Sequence, residues 1–118
     1  MGKLKDILAD LCRVDGVQAA VVVSQDGFVI EGVTNSGEID YDALGAIVST
    51  GVGASRAMGG ELQLGSLTQI LAEYAGGLLT LNALSGSVTL AVVTTASANV
   101  GSVRYQTRKR VPELEAAL

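Results

Sequence analysis

Few residues of this 118-residue chain have side chains that could act as catalysts. The chain has no histidine, which removes the commonest general base and the commonest metal ligand. Its single cysteine, Cys12, falls in an apolar helical pattern, where cysteine behaves as a small hydrophobic residue. This composition excludes a Ser-His-Asp triad, a Cys-His pair and the usual zinc sites. We therefore expect no catalytic residue, no metal and no cofactor, and we predict that the protein is not an enzyme.

Four other groups of residues could recognise a ligand. Gly51-Val52-Gly53 has the glycine spacing of a phosphate loop, but no Gly-Lys-Ser/Thr follows and position 56 is arginine instead of the third glycine. Asp40 and Asp42 could form a carboxylate pair, but capping of a following helix explains them more simply. Arg56 is either an interface arginine or an exposed helix residue. The last group is basic and has two interpretations: it could bind an acidic partner or a phosphate group, or it could form a solvated helix face. Its members are Arg104, Arg108, Lys109 and Arg110.

The overall composition limits the class of protein. Hydrophobic residues make up 48% of the chain and charged residues 17%, a surplus that hints at an apolar surface used in oligomerisation. A net charge of −4 and an aromatic content of 3% argue against binding to nucleic acid. The chain contains no run of about 18 apolar residues, so we expect no membrane span. Acidic residues within the first apolar stretch argue against a signal peptide. We expect a single cytoplasmic domain over residues 1–118.

The first third of the chain predicts a helix followed by a hairpin. Asp15-Gly16 should stop the helix, 17–24 reads as a strand buried on both faces, and Asp26-Gly27 turns the chain into a strand at 28–31. A polar loop follows at 35–38. The helix is predicted from apolar residues at three- and four-residue spacing: Leu4, Ile7, Leu8, Leu11 and Val14.

A second helix should begin near Asp40 and run to about Leu62, unless Gly59-Gly60 breaks it. Its interior glycines each cost roughly 0.5–1 kcal/mol relative to alanine, so they indicate a close approach of another backbone. One predicted stripe covers the sheet: Leu44, Val48, Gly51, Ser55, Met58 and Leu62. A second stripe contains only small residues and would let another helix pack closely: Ser49, Gly53, Ala57 and Gly60.

The second half of the chain predicts three strands and a helix. Apolar segments at 67–74, 77–84 and 87–95 are separated by short Gly-containing turns, which is typical of an antiparallel meander. A final helix should open at Asn99, and Pro112 predicts a kink or an end near Arg110 with a short terminal turn. The order α-β-β-α-β-β-β-α predicts an α+β fold, a five-stranded antiparallel sheet with helices on both faces.

The strand at 67–74 is a candidate sheet edge, because it follows the second helix and starts the meander. It has no proline, and Glu73 is its only charge, so it would be open to pairing with another chain. Two copies could join edge to edge with their second helices side by side. The edge, the small-residue stripe and the apolar surplus would then share one explanation.

Three stretches together resemble the roadblock/dynein light chain domain over nearly the whole chain. The first is LKDILADLCRVDGVQAAVVVSQDGFVI, with its helix, Asp-Gly-Val, strand, Asp-Gly and strand; the second is DYDALGAIVSTGVGASRAMGGEL as the central helix. In the third, ANVGSVRY resembles the family's Asn-aliphatic-Gly-x-aliphatic-Arg signature at the start of the last helix. The many glycines of the central helix and Pro112 depart from the family pattern.

The resemblance implies a noncatalytic protein that dimerises through the strand after the central helix and often binds small Ras-like GTPases, as MglB-like regulators do. It implies a GTPase-facing surface on the paired central helices, here Ser49, Gly53, Arg56 and Ala57. The implied dimer interface combines the strand edge with the small-residue stripe: Leu67, Gln69, Leu71 and Glu73 with Ser49, Gly53 and Ala57.

Our first hypothesis is a dimeric regulatory adaptor, a homodimer or a heterodimer with a paralogue, that binds a small Ras-like GTPase and modulates its nucleotide cycle. The alternative is a scaffold or dynein-light-chain-like module that binds peptides through the sheet edge or a helix groove. A third hypothesis is a sensor that holds a small ligand between sheet and helix.

Overall fold

The computed structural model describes residues 2–35 and 37–118, so Ser36, within the predicted polar loop 35–38, lies outside the described residues. The elements are α1 (Lys3–Leu11), β1 (Val17–Val23), β2 (Val29–Thr34), α2 (Tyr41–Glu61), β3 (Gln69–Tyr74), β4 (Gly77–Ala83), a 3-10 turn (Ser85–Ser87), β5 (Thr89–Thr95) and α3 (Val100–Ala117). They follow the predicted order, and the strands form one antiparallel sheet in the order β2-β1-β5-β4-β3. The predicted α+β architecture is confirmed.

Helices cover both faces of this sheet, as predicted. On one face, α1 and α3 bury Leu8, Leu11 and Leu114 against Val22 and Val92. On the other face, α2 packs Val48 and Val52 against Val21, Val23 and Ala91. Because alternate residues of a strand point to opposite faces, β1 and β5 supply both cores and read as nearly continuous apolar runs.

The N-terminus of α2 is fixed by Asp40, whose carboxylate accepts a hydrogen bond of 3.1 Å from the Ala43 N–H. This confirms the capping interpretation of Asp40. The helix continues through Gly59-Gly60 to Glu61, so the alternative of a broken helix is wrong. Its many glycines are tolerated within one uninterrupted helix.

One glycine of α2 is required by contact with the first hairpin. A Cβ atom on Gly45 would collide with the carbonyl oxygen of Gly27, and it would also lie 3.6 Å from Cγ2 of Val29. Gly27 itself has φ +90°, the left-handed conformation of the turn between β1 and β2. The helix and the turn therefore touch backbone to backbone, the close approach that the glycine content predicted.

The predicted sheet-covering stripe of α2 is correct only in its first half. Leu44 and Val48 pack against the sheet, but Met58 is 59% exposed and Leu62 is 66% exposed. The residues of α2 that are buried are Gly45, Val48 and Val52. Contact of Gly45 with the hairpin rotates the helix so that Val52 faces the sheet in place of Gly51, and this leaves Met58 in solvent.

The last helix passes through Pro112. It runs from Val100 to Ala117, so of the two predicted alternatives the end near Arg110 is wrong. Asn99 caps it, accepting a 2.9 Å hydrogen bond from the Ser102 N–H. Pro112 removes the helical partner of the Arg108 carbonyl group, and both residues are exposed, while burial of Leu114 holds the last turns on the core.

No helix within residues 2–35 and 37–118 combines the length and apolar character needed to cross a membrane.

The contact between Gly45 and Gly27 predicts opposite effects for two Gly→Ala substitutions in α2. Gly45→Ala should lower the free energy of unfolding by about 1–3 kcal/mol, because the added methyl group meets backbone that cannot move aside. Gly51→Ala should raise it by roughly 0.5–1 kcal/mol, because a Cβ there meets no atom within 4 Å. Urea denaturation followed by circular dichroism measures both. Equal effects would contradict the proposed seating of α2.

Pro112→Ala should raise the free energy of unfolding by about 2 kcal/mol. Proline costs about 3 kcal/mol inside a helix but restricts the unfolded chain by about 0.4–1 kcal/mol, and the balance favours alanine here. The same denaturation experiment measures the change, with Ala116→Gly in the same helix as a control that should be destabilising. A loss of stability in Pro112→Ala would mean that the proline is needed for the path of α3.

Candidate protein-interaction surface

The sheet has two open edges, β2 and β3, and β3 is the edge predicted from the sequence. Along β3, Leu71 is 43% exposed, Glu73 is exposed and Gln69 is half-buried; Leu67, two residues before the strand, is also half-buried. The Gln69 side chain donates a 2.9 Å hydrogen bond to Oδ1 of Asn82 on β4, which fixes the start of the edge strand. The outer backbone groups of β3 remain available for pairing with another strand.

A shallow groove of about 240 Å³ separates β3 from the C-terminal half of α2. Its α2 wall includes Met58 and Leu62, and its other wall includes Leu64 and Leu67. Leu64 is 73% exposed, so together with Met58 and Leu62 it forms an apolar patch next to the open edge. Patches of this kind mark contacts between proteins more often than free surface.

The small-residue stripe of α2 is exposed, but it does not line this groove. Gly53, Ala57 and Gly60 are exposed, and Ser49 is half-buried. The Ser49 hydroxyl donates a 2.9 Å hydrogen bond to the Gln25 carbonyl oxygen, in the turn between β1 and β2. The stripe thus begins on the flank of α2 that adjoins this turn, whereas the groove lies on the flank that adjoins β3. Sequence reasoning had assigned both features to one interface.

Arg56 lies where the two flanks meet. It is half-buried and lines both the groove beside β3 and a separate cavity of about 200 Å³ on the side of the hairpin turn. We call this cavity the hairpin cavity; its polar lining comprises Ser24, Gln25, Ser49, Arg56, Ser87 and Thr89. Sequence reasoning missed Ser24, Ser87 and Thr89, because they come from segments far apart in the chain and belong to no motif.

The remaining residues considered for chemistry have structural roles or lie elsewhere. Cys12 is buried, and burial raises the pKa of its thiol, which keeps it a neutral core residue. Arg104, Arg108 and Lys109 are exposed on α3, on the other face of the sheet.

Arg110 departs from the predicted solvated face of α3. Its side chain is only 16% exposed, donates to Oε1 of Gln106 at 2.7 Å, and lies 3.9 Å from the Asp10 carboxylate. Arg110 therefore connects α3 to α1 through Asp10. A largely buried guanidinium group needs hydrogen-bond or ion-pair partners for its N–H groups.

Comparison with known proteins identifies the family to which the chain belongs. The sequence model of the Roadblock/LC7 domain matches residues 3–94. The chain is also 33% identical over 110 residues to an uncharacterized protein of Methanocaldococcus jannaschii, covering 93% of this chain and 92% of that protein.

Solved structures agree with this assignment. A Roadblock/LC7 domain from Streptomyces avermitilis is 33% identical, with a TM-score of 0.70 and coverage of 96% of this chain and 99% of that one. MglB of Myxococcus xanthus has the same fold with a TM-score of 0.91 at 19% identity, covering 97% of this chain and 93% of that one. With the helix-sheet-helix architecture described above, these matches show that the chain belongs to the Roadblock/LC7 domain family.

Proposed function

We propose that this protein is a dimeric regulatory adaptor that binds a small Ras-like GTPase on α2 and modulates its nucleotide cycle. The observation that carries the proposal is the exposed row of small residues at Gly53, Ala57 and Gly60. Such a row lets a partner approach the helix backbone closely, and glycine and alanine lose almost no side-chain entropy when they are covered. The shared fold with MglB supports the same proposal, because the sequence resembles that of MglB-like regulators of small GTPases.

The dimer would form through β3. The open strand edge supplies main-chain hydrogen bonds, and Leu71, Met58 and Leu62 supply apolar area beside it. Because Ser49 and Gly53 line the opposite flank of α2, we assign the small-residue stripe to the GTPase and the β3 edge to the second copy. One of the similar solved structures, described as MglB with a tetrameric arrangement, shows that the MglB fold assembles beyond a single chain in that protein.

Such an adaptor would work without a reacting group of its own. A bound protein shifts the equilibrium between two conformations of its partner only as far as it binds one of them more tightly. If the α2 surface fits the GTP-bound form of the GTPase, it would hold the mobile segments of the GTPase in the arrangement that allows hydrolysis. If it instead fits a form of the GTPase with an open nucleotide site, it would speed nucleotide release. Nucleotide-dependent affinity is therefore the defining property of this proposal.

The proposed dimer is tested by placing a charge on each open edge in turn. Leu71→Lys should convert the protein from a mass near twice 12.0 kDa to a monomer, because a lysine on a strand edge opposes edge-to-edge pairing. Ile30→Lys on β2 is the matched control, since Ile30 is 47% exposed on the other edge, and it should leave the mass unchanged. Light scattering measures both. A dimer that persists in Leu71→Lys, or that is lost in Ile30→Lys, would reject β3 as the interface.

The proposed GTPase surface is tested with two exposed helical alanines. Ala57→Leu should weaken binding by about tenfold or more, roughly 1.4 kcal/mol, because the larger side chain blocks close approach. Ala116→Leu on α3 is the matched control and should leave the affinity unchanged. Titration calorimetry with small Ras-like GTPases of the source genome, loaded with GDP or a non-hydrolysable GTP analogue, measures both.

The same titration separates regulation from scaffolding. A difference in affinity between the two nucleotide states supports regulation of the GTPase. Equal affinity in both states would favour the scaffold alternative, for which the open β3 edge is the supporting feature. Absence of binding in either state, with the dimer intact, would reject a GTPase partner.

A further inference from the structure

We propose that the hairpin cavity is a carboxylate-binding site that receives an Asp or Glu side chain of the protein bound on α2, with Arg56 as its ion-pair partner. This inference rests on the proposed function and names the chemistry recognised at one point of that surface. It is carried by the lining of the cavity, by the charge around Arg56 and by the position of the cavity beside the small-residue stripe.

Three valines line the cavity, and the polar part of its lining offers hydroxyl groups beside a cation, which suits an anion. It brings together hydroxyl groups from three parts of the chain, with Ser24 from the first hairpin, Ser49 from α2, and Ser87 and Thr89 from the 3-10 turn and the first residue of β5. Ser24 accepts a 3.1 Å hydrogen bond from the Phe28 N–H, which leaves its own O–H free to donate. Ser49 uses its proton on the Gln25 carbonyl oxygen, so the donors left for a ligand are Ser24, Ser87 and Thr89.

Arg56 supplies the charge. It is half-buried, yet within residues 2–35 and 37–118 it has neither an ion pair nor a hydrogen-bond partner. Among the described residues, no acidic side chain lines the hairpin cavity or the groove beside β3, nor a third cavity that Arg56 lines together with Leu84 and Ser87. A partly buried guanidinium group without a counter-charge is costly, so an incoming anion gains more here than at an exposed arginine. Arg110 shows the contrast, because its covered side chain is paired within the chain.

The charge balance favours a carboxylate over a phosphate group. A single guanidinium group matches a single negative charge, and its fork of donors fits both oxygens of a carboxylate. A phosphate or a nucleotide carries about two or more negative charges and is normally held by several cations, a helix N-terminus or a metal ion. The cavity volume of about 200 Å³ suits one side chain and not a nucleotide, since pockets for drug-sized ligands occupy about 300–1,000 Å³.

The position of the cavity points to a protein as the source of the carboxylate. Ser49 and Gly53 belong both to the cavity wall and to the exposed small-residue stripe. A protein that lies along the stripe therefore crosses the cavity mouth, and an acidic side chain on its surface can enter without moving α2. Because the chain has an overall net charge of −4, the guanidinium group of Arg56 places a positive charge on the α2 surface of a protein that is negative overall.

The first test measures affinity for the GTPase in the nucleotide state that binds best. Arg56→Gln should weaken binding by about tenfold, roughly 1.4 kcal/mol, and Arg56→Lys should recover part of the loss because it keeps the charge without the fork. Arg104→Gln is the matched control, an exposed arginine on the other face of the sheet, and it should bind as the unmodified protein does. If the unmodified protein binds and Arg56→Gln binds equally well, this inference is wrong while the proposed function stands.

The second test needs no GTPase and decides the inference if the proposed function fails. Sodium acetate is titrated to about 100 mM, since one ion pair gives millimolar affinity at best, and amide chemical shifts are followed by NMR. Saturable shifts at Ser24, Arg56 and Ser87 are expected with acetate, not with neutral acetamide, and not in Arg56→Gln. Equal shifts with acetamide, no saturation with acetate, or tighter binding of inorganic phosphate would overturn the assignment to a carboxylate.

Discussion

The contact between Gly45 and the turn at Gly27 is the constraint on which the rest of the surface depends. Two backbones meet there with no side chain between them, so the rotation of α2 about its own axis is set by atoms that cannot repack. From that rotation follow which residues of α2 face the sheet and which face solvent. Val48 and Val52 are buried by it, and Gly53, Ala57 and Met58 are left outside.

This seating divides the outside of α2 into two flanks with different chemistry. One adjoins β3 and is apolar, with Met58 and Leu62 next to an unpaired strand edge. The other adjoins the first hairpin and is made of small residues and hydroxyl groups around Arg56, which has no ion-pair partner among the described residues. A single small domain can thus present one surface suited to a second copy of itself and another suited to a different protein. The opposite face of the sheet, under α1 and α3, is closed by the larger of the two cores.

The sequence by itself determined the fold. Apolar residues at helical spacing predicted α1, the run at 17–24 predicted a strand buried on both faces, the run at 87–95 predicted a strand of the meander, and Asp40 and Asn99 marked the starts of α2 and α3. These features depend on residues close together in the chain, where periodicity and capping are local and readable. The edge position of β3 was also predictable, because the order of elements leaves few ways to arrange a meander beside a hairpin.

Tertiary structure decided how the elements meet. The alternative of an end of α3 near Arg110 was wrong because the local cost of Pro112 is outweighed by burial of Leu114, a contact with the rest of the molecule. The sheet-covering stripe of α2 was misdrawn because Gly45 contacts Gly27, a residue of another segment. The hairpin cavity could not be foreseen, since its hydroxyl groups come from segments around residues 24, 49 and 87–89. The sequence specified which side chains are available, and only long-range packing determined which of them share a site.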